Sequence, residues 1–221
     1  MKPRVERVER IGLLGGTFDP VHKGHLQMAE IAKGVCDLQE VRFIPAAVPP
    51  HKHCNVVASF NHRATMIQLA LAGSPDFSLS TIEASLPEPS YTIDTLKYYY
   101  ANTVVGTELF FIIGADAFLD ITTWKSYREV LQVASFVVVA RAGCTVSEVT
   151  DLIQRLGYES GELPHIWNHP GLQKKIFFPS ISLVDISSSR IRQSIKAADA
   201  VIESLLPAAV LEYIQTHGLY A

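Results

Sequence analysis

The 221-residue sequence predicts a doubly wound α/β fold, Rossmann-like, in which a parallel sheet is covered by helices on both faces and a small helical part follows at the C-terminal end. Three observations carry this. Short Val/Ile/Phe runs are continuous rather than alternating, as strands buried on both faces require. Helical patterns separate most of them. Segments rich in glycine, proline and polar residues follow several of the runs, where ligands collect in open α/β sheets.

Taken in order, the strand-sized runs lie at 11–14, 41–44, 77–79, 109–113, 136–139 and 176–178. The helix expected over 25–35 carries Leu26, Ala29, Ala32 and Val35 at intervals of three, along one side. Comparable helices fit 61–72, 92–101, 124–133, 146–156 and 207–216. The stretch 157–171 mixes Gly, Pro, His and Trp irregularly and reads as a long loop or small excursion. Residues 1–10 form a charged lead-in and 11–221 a single domain. The ends of the strands supply 15–25, 45–52, 114–116 and 185–192, which should converge on one site.

Composition narrows the function classes. With 48% hydrophobic residues, 19% charged and a formal charge of -3, the chain is neither a disordered tail nor a surface for coating nucleic acid. Apolar runs stop far short of the ~20 residues that span a bilayer, and the first ten residues carry no apolar signal core, so a cytoplasmic location is expected. Cys36, Cys54 and Cys144 lack CxxC spacing and read as reduced thiols.

The chemistry concentrates in GGTFDPVHKGH, residues 15–25, which follows the first strand and leads into a helix. It is neither a Walker loop nor the GxGxxG dinucleotide fingerprint. Gly15 and Gly16 allow close backbone approach, while His22 and His25, three apart around Gly24, should face the same way from a helix N-terminus. That end attracts anions, and two imidazoles there can donate to phosphate oxygens as charge builds during transfer. A metal pair is the competing reading, but no HExxH pattern or third ligand accompanies it.

This segment resembles the GxFxPxHxGH signature of the nucleotidyltransferases that share the HxGH motif. From 11 to 220 the chain is most similar to the bacterial nicotinate mononucleotide adenylyltransferases. The resemblance implies AMP transfer from ATP to nicotinate mononucleotide, giving deamido-NAD and pyrophosphate, with Mg²⁺ carried on ATP. It places His22 and His25 at the α phosphate, and Gly15, Gly16, Thr17, Phe18 and Gly24 around ATP.

A second motif, DISSSRIR at 185–192, offers consecutive serines that can cap a helix. Arg190 and Arg192, two apart, cannot share one helical face, so at most one enters a site. It resembles the family's ISSTxxR pattern, with Ser189 in place of threonine. By that likeness Ser188, Ser189 and Arg192 hold the β and γ phosphates, and Arg190 is solvated.

On the acceptor side, FIPAAVPPHK at 43–52 reads on its own as a rigid loop with a solvated end. In SYTIDTL, Thr92 can cap a helix and Asp94 suits its dipole. Gly114 and Asp116 end a buried strand, and Trp124 could pack in the core or stack on a flat ring. The resemblance puts His51 and Lys52 near the mononucleotide phosphate, Thr92 near the nicotinate, Asp116 and Gly114 on nucleotide, and Trp124 on the pyridine ring. Lys125 is expected to be solvated, with selectivity for the acid coming from backbone amides at helix starts near Thr92 or Trp124.

The acceptor phosphate is already ionised, so in-line attack on the α phosphorus needs no general base and no covalent intermediate. Two rivals are a phosphopantetheine adenylyltransferase, whose family is typically shorter and lacks the SYT and Trp pattern, and a nucleotide-binding regulator without catalysis. The complete set of His22, His25, Ser188 and Arg192 speaks against the second.

Overall fold

A computed structural model describes residues 8–49, 58–141, 145–183 and 186–221. His51, Lys52, Cys54 and Cys144 lie outside them. The chain runs β1 (Arg10–Gly16), α1 (Lys23–Cys36), β2 (Glu40–Pro45), α2 (Phe60–Ala70), β3 (Phe77–Leu79), α3 (Thr92–Asn102), β4 (Glu108–Gly114), α4 (Ala115–Leu119), α5 (Tyr127–Val133) and β5 (Ser135–Arg141). It continues through α6 (Val146–Arg155), β6 (Glu159–Ser160), β7 (Ile166–His169), β8 (Leu172–Phe177), β9 (Ser182–Leu183), α7 (Ser188–Lys196), α8 (Ile202–Leu205) and α9 (Ala208–Thr216).

The sheet order is β3-β2-β1-β4-β5-β8-β7-β6, with β9 pairing further along β5. From β3 to β8 every pairing is parallel, and strand order reverses between β1 and β4. That reversal opens a crevice at the carboxyl ends of these two strands.

Continuous apolar strands make sense because side chains alternate between two buried faces. Leu109, Phe111 and Ile113 of β4 join one core, with Ile11 and Leu13 of β1 and Phe136 and Val138 of β5. Phe110, Ile112, Leu14, Val137 and Val139 join the other. Helix α1 buries Met28, Ala29, Ala32 and Cys36 in that second core; Leu26 and Val35 of the expected stripe are only partly buried beside it. Burial pushes the Cys36 thiol up to about 12, consistent with an inert packing residue.

Of the two readings for 157–171, a long loop or a small excursion, the structure takes the second: β6 and β7 pair antiparallel with each other, and β7 with β8, so the sheet is mixed at this edge. Strands of two and four residues are too short to leave a readable period. Two expectations need correction. Trp124 does not begin a helix, since α5 starts at Tyr127 and Trp124 ends a short 3₁₀ turn, Ile121–Thr123. Thr92 is the first residue of α3 rather than its cap, which is Tyr91.

Candidate active site

The loop leaving β1 is shaped by its own small residues. A Cβ on Gly15 would stand 3.2 Å from the Phe111 ring, and one on Gly16 would stand 3.1 Å from Phe18. Phe18 takes a left-handed backbone (φ 51) and turns its ring inward, where it is 1% exposed and meets His25 edge-on at 4.8 Å. A phenylalanine in that conformation is strained, and the buried ring is what holds it there.

His22 caps α1 and His25 lies in its first turn; their rings stack at 3.7 Å between centroids. The His22 backbone N–H donates to His25 Nδ1 at 3.2 Å. An imidazole accepting at Nδ1 carries its hydrogen on Nε2, so His25 is set up as a donor. Gly24 lies behind this pair rather than on the wall of the crevice: a Cβ there would meet His22 Nδ1 at 3.0 Å.

Helix α7 approaches the same loop from the far end of the chain. Ser187 caps it through the Arg190 N–H, leaving Ser188 and Ser189 in the first turn. Ser188 donates to the Pro20 carbonyl at 2.9 Å, and Arg192 donates to the Asp19 carbonyl at 2.7 Å and to Ser189 Oγ at 3.3 Å. Arg190 is exposed and does not line the cavity described below.

The third wall comes from α3 and β4. Ser90 Oγ accepts from the Ala47 and Val48 amides at 3.1 and 3.2 Å, tying the 45–49 loop to the start of α3. Trp124 meets Phe111 edge-on at 6.1 Å. Lys125, expected to be solvated, is exposed and also pairs with Asp94 at 3.1 Å and lies 4.3 Å over the Tyr91 ring. Asp94 and Lys125 could be matched only in three dimensions, being 31 residues apart.

These walls enclose a cavity of about 800 Å³. It is lined by Gly15, Gly16, Thr17, Phe18, His22, His25, Gly114 and Asp116 on one side and by Ser188, Ser189 and Arg192 on a second. Thr92 and Trp124 line a third. The positions singled out from sequence and described here therefore surround one cavity, Gly24 excepted.

Sequence reasoning missed Glu83, Ser90, Arg63 and Tyr220. Glu83, 7% exposed, lines the cavity, and burial pushes its carboxyl above the usual range against the pull of the Thr95 hydroxyl 2.7 Å away. Arg63, 1% exposed, donates to the Thr17, Ala58 and Ala47 carbonyls at 2.7, 3.3 and 3.5 Å. It clamps the β1 loop to the 45–49 loop from beneath. Arg63 shares a helix face with Met66 and Ile67, three and four residues on, but a charged residue within an apolar stripe does not by itself reveal the carbonyls it meets; only Ser90, in the same SYT segment as Thr92, sat within a stretch already singled out. Among the described residues no group of three or more His, Cys, Asp or Glu is placed to hold a metal ion, and no helix is long and apolar enough to cross a membrane.

Comparison with known proteins meets this geometry from outside. Residues 13–194 match the cytidylyltransferase-like family. A protein of Desulfotalea psychrophila named "probable nicotinate-nucleotide adenylyltransferase" is 38% identical over 96% of this chain and 100% of its own length. One of the same name from Pelobacter propionicus is 39% identical over 96% of this chain and 98% of its own. Among solved structures, Plasmodium falciparum nicotinic acid mononucleotide adenylyltransferase complexed with NaAD superposes with a TM-score of 0.73 at 18% identity, covering 96% of this chain and 97% of that one. The last likeness speaks for the fold; with the relatives it leads to one conclusion, that this chain belongs to the nicotinate-nucleotide adenylyltransferase family of cytidylyltransferase-like proteins.

Proposed function

We propose that this chain transfers AMP from ATP to nicotinate mononucleotide, giving deamido-NAD and pyrophosphate, as a cytoplasmic step of NAD biosynthesis. The observation that carries the reading is the single cavity on which the HxGH loop, the α7 serines and arginine, and the α3–Trp124 wall all border, in a chain 38% identical to named relatives over nearly its whole length.

The chain's own groups suit the reaction. ATP lies across the β1–β4 reversal with its phosphates between the histidines and α7. His25 donates from Nε2, and His22 beside it, towards the α phosphate where negative charge accumulates. Ser188, Ser189 and Arg192 restrain the departing pyrophosphate; the arginine's planar fork suits adjacent phosphate oxygens. The nicotinate ring stacks near Trp124 with its carboxylate towards the first-turn amides of α3, close to which Lys125 offsets the charge of Asp94. Catalysis is positioning plus charge stabilisation, because the attacking phosphate needs no deprotonation.

Asp19, Glu83 and Asp116 border the cavity, and among the described residues no three such groups are gathered as a cation cage; Asp19 accepts from Tyr220 and Glu83 from Thr95. Such a donor set fits Mg²⁺ arriving on the triphosphate with few protein ligands. Bound there, the ion screens the phosphate charge.

The test is pyrophosphate release from MgATP with nicotinate mononucleotide, nicotinamide mononucleotide and phosphopantetheine supplied in turn. Release with the acid mononucleotide, well above the amide and absent with phosphopantetheine, is the expected result. ATP binding without release under any condition would overturn the reading.

A further inference from the structure

The loop that carries the histidines is gripped at one residue by three distant parts of the chain. Asp19 is 2% exposed. Its Oδ1 accepts from the Tyr220 hydroxyl at 2.7 Å and from the Ala58 amide at 3.1 Å. Its backbone carbonyl accepts from Arg192 Nη1 at 2.7 Å, while that same nitrogen stands 3.8 Å from Oδ2. Tyr220 is 5% exposed, and burial together with the bond to Asp19 pushes its phenol far above the ordinary range, so it remains a donor.

The division of labour within Asp19 matters. A carboxylate beside a guanidinium ordinarily closes into a short, two-pronged pair that consumes the arginine's best donors. Here Oδ1 is taken up from behind by Tyr220 and Ala58, and Arg192 is caught on the backbone carbonyl instead. Its hydrogen bonds to protein go to that carbonyl and to Ser189 Oγ. A guanidinium has five N–H groups, so most of its donor capacity is left over on a side chain that lines the cavity, with a negative charge nearby that fixes its place without consuming its donors.

We propose that Asp19, held back by Tyr220, is the positioning residue for Arg192 and sets how well the site receives pyrophosphate. The inference rests on the reading that Arg192 meets the leaving group. Tyr220→Phe removes one hydroxyl and leaves the ring in place. The carboxylate, which keeps the Ala58 amide on Oδ1, then loses the donor that draws its charge away from Arg192, and it competes more strongly with phosphate for the guanidinium. Asp19→Asn keeps the size of the side chain and places an amide N–H where Oδ2 faces the guanidinium.

The experiment measures KM for ATP, for nicotinate mononucleotide and, in the reverse reaction, for pyrophosphate, in wild type, Tyr220→Phe, Asp19→Asn, Arg192→Ala and the Tyr220→Phe/Arg192→Ala double variant. Expected is a roughly 10-fold rise in KM for ATP and pyrophosphate in Tyr220→Phe and at least as much in Asp19→Asn, the size of losing one charge-linked hydrogen bond. KM for the mononucleotide should stay unchanged, and Tyr220→Phe should add nothing once Arg192 is gone. A uniform change in all three constants, or full additivity in the double variant, would make the cluster simple scaffolding and overturn the proposal. If Arg192→Ala itself leaves the pyrophosphate KM unchanged, it is the role of Arg192 that fails. A normal Tyr220→Phe beside a defective Arg192→Ala refutes the positioning role alone.

Discussion

At Gly24 the absent side chain does as much as those around it, because a Cβ there would meet the His22 ring at 3.0 Å and push it off its stack with His25. The donor role of His25 follows from the bond that holds its Nδ1. His25→Ala should lower kcat by at least about 10²-fold, the scale of losing one oxyanion donor, in a steady-state pyrophosphate-release assay; near-normal turnover would remove His25 from the mechanism. Glu83 gives a second residue-scale expectation. Burial raises its pKa above the ordinary 4.5, so its favourable contribution is complete below that value and is lost as pH rises through the higher folded value. Glu83→Gln imitates the protonated form and should melt above wild type near pH 8, with the difference vanishing towards about pH 4. The opposite trend would mean that Arg63 holds the carboxylate ionised. Neither effect is visible in sequence: His25 could be picked out by spacing, but Glu83 stands in an unremarkable TIEAS segment and acquires its character only by being enclosed.

At the scale of elements, β1 is hemmed in on both sides, lying between β2 and β4 at the crevice. A Cβ on Gly12 would approach Leu38 Cδ1 at 2.8 Å, Ile112 Cδ1 at 3.0 Å and Val41 Cγ2 at 3.1 Å. Gly12→Ala should therefore destabilise the protein by about 1–3 kcal/mol despite the general preference for alanine over glycine in a strand, read as a lower denaturant midpoint. An unchanged midpoint would show that the Leu38, Val41 and Ile112 side chains shift freely. The long parallel strands were legible because each buries both faces and so reads as an unbroken apolar run. Of the β6–β7–β8 meander only the end of β8, the 176–178 run, was legible, since β6 and β7 have two and four residues and the start of β8 is polar. Helix starts were legible to within a few residues; Trp124 was misplaced because the 3₁₀ turn before it satisfies a helical pattern for three residues and then stops.

For the whole molecule, the cavity joins segments from residue 14 to residue 220, so a ligand spanning it should bind the folded state as a unit. Deamido-NAD at 100 times its Kd should add about 2.7 kcal/mol of stability, or roughly 5–10 °C in melting temperature for a domain of this size. A shift no larger than that given by AMP would argue that the α3–Trp124 wall does not take the other half of the product.

By itself the sequence determined the doubly wound class, the first motif with its paired histidines, and, through resemblance, the reaction. Each is a local matter: hydrophobic period and short-range spacing survive in one dimension. Only the tertiary structure decided which groups support those residues. The Arg63–Thr17 bond, the Asp94–Lys125 pair and the Asp19–Tyr220 contact join residues 46, 31 and 201 positions apart, and whether a charge or hydroxyl is buried, and against what, depends on which distant strands and helices close around it.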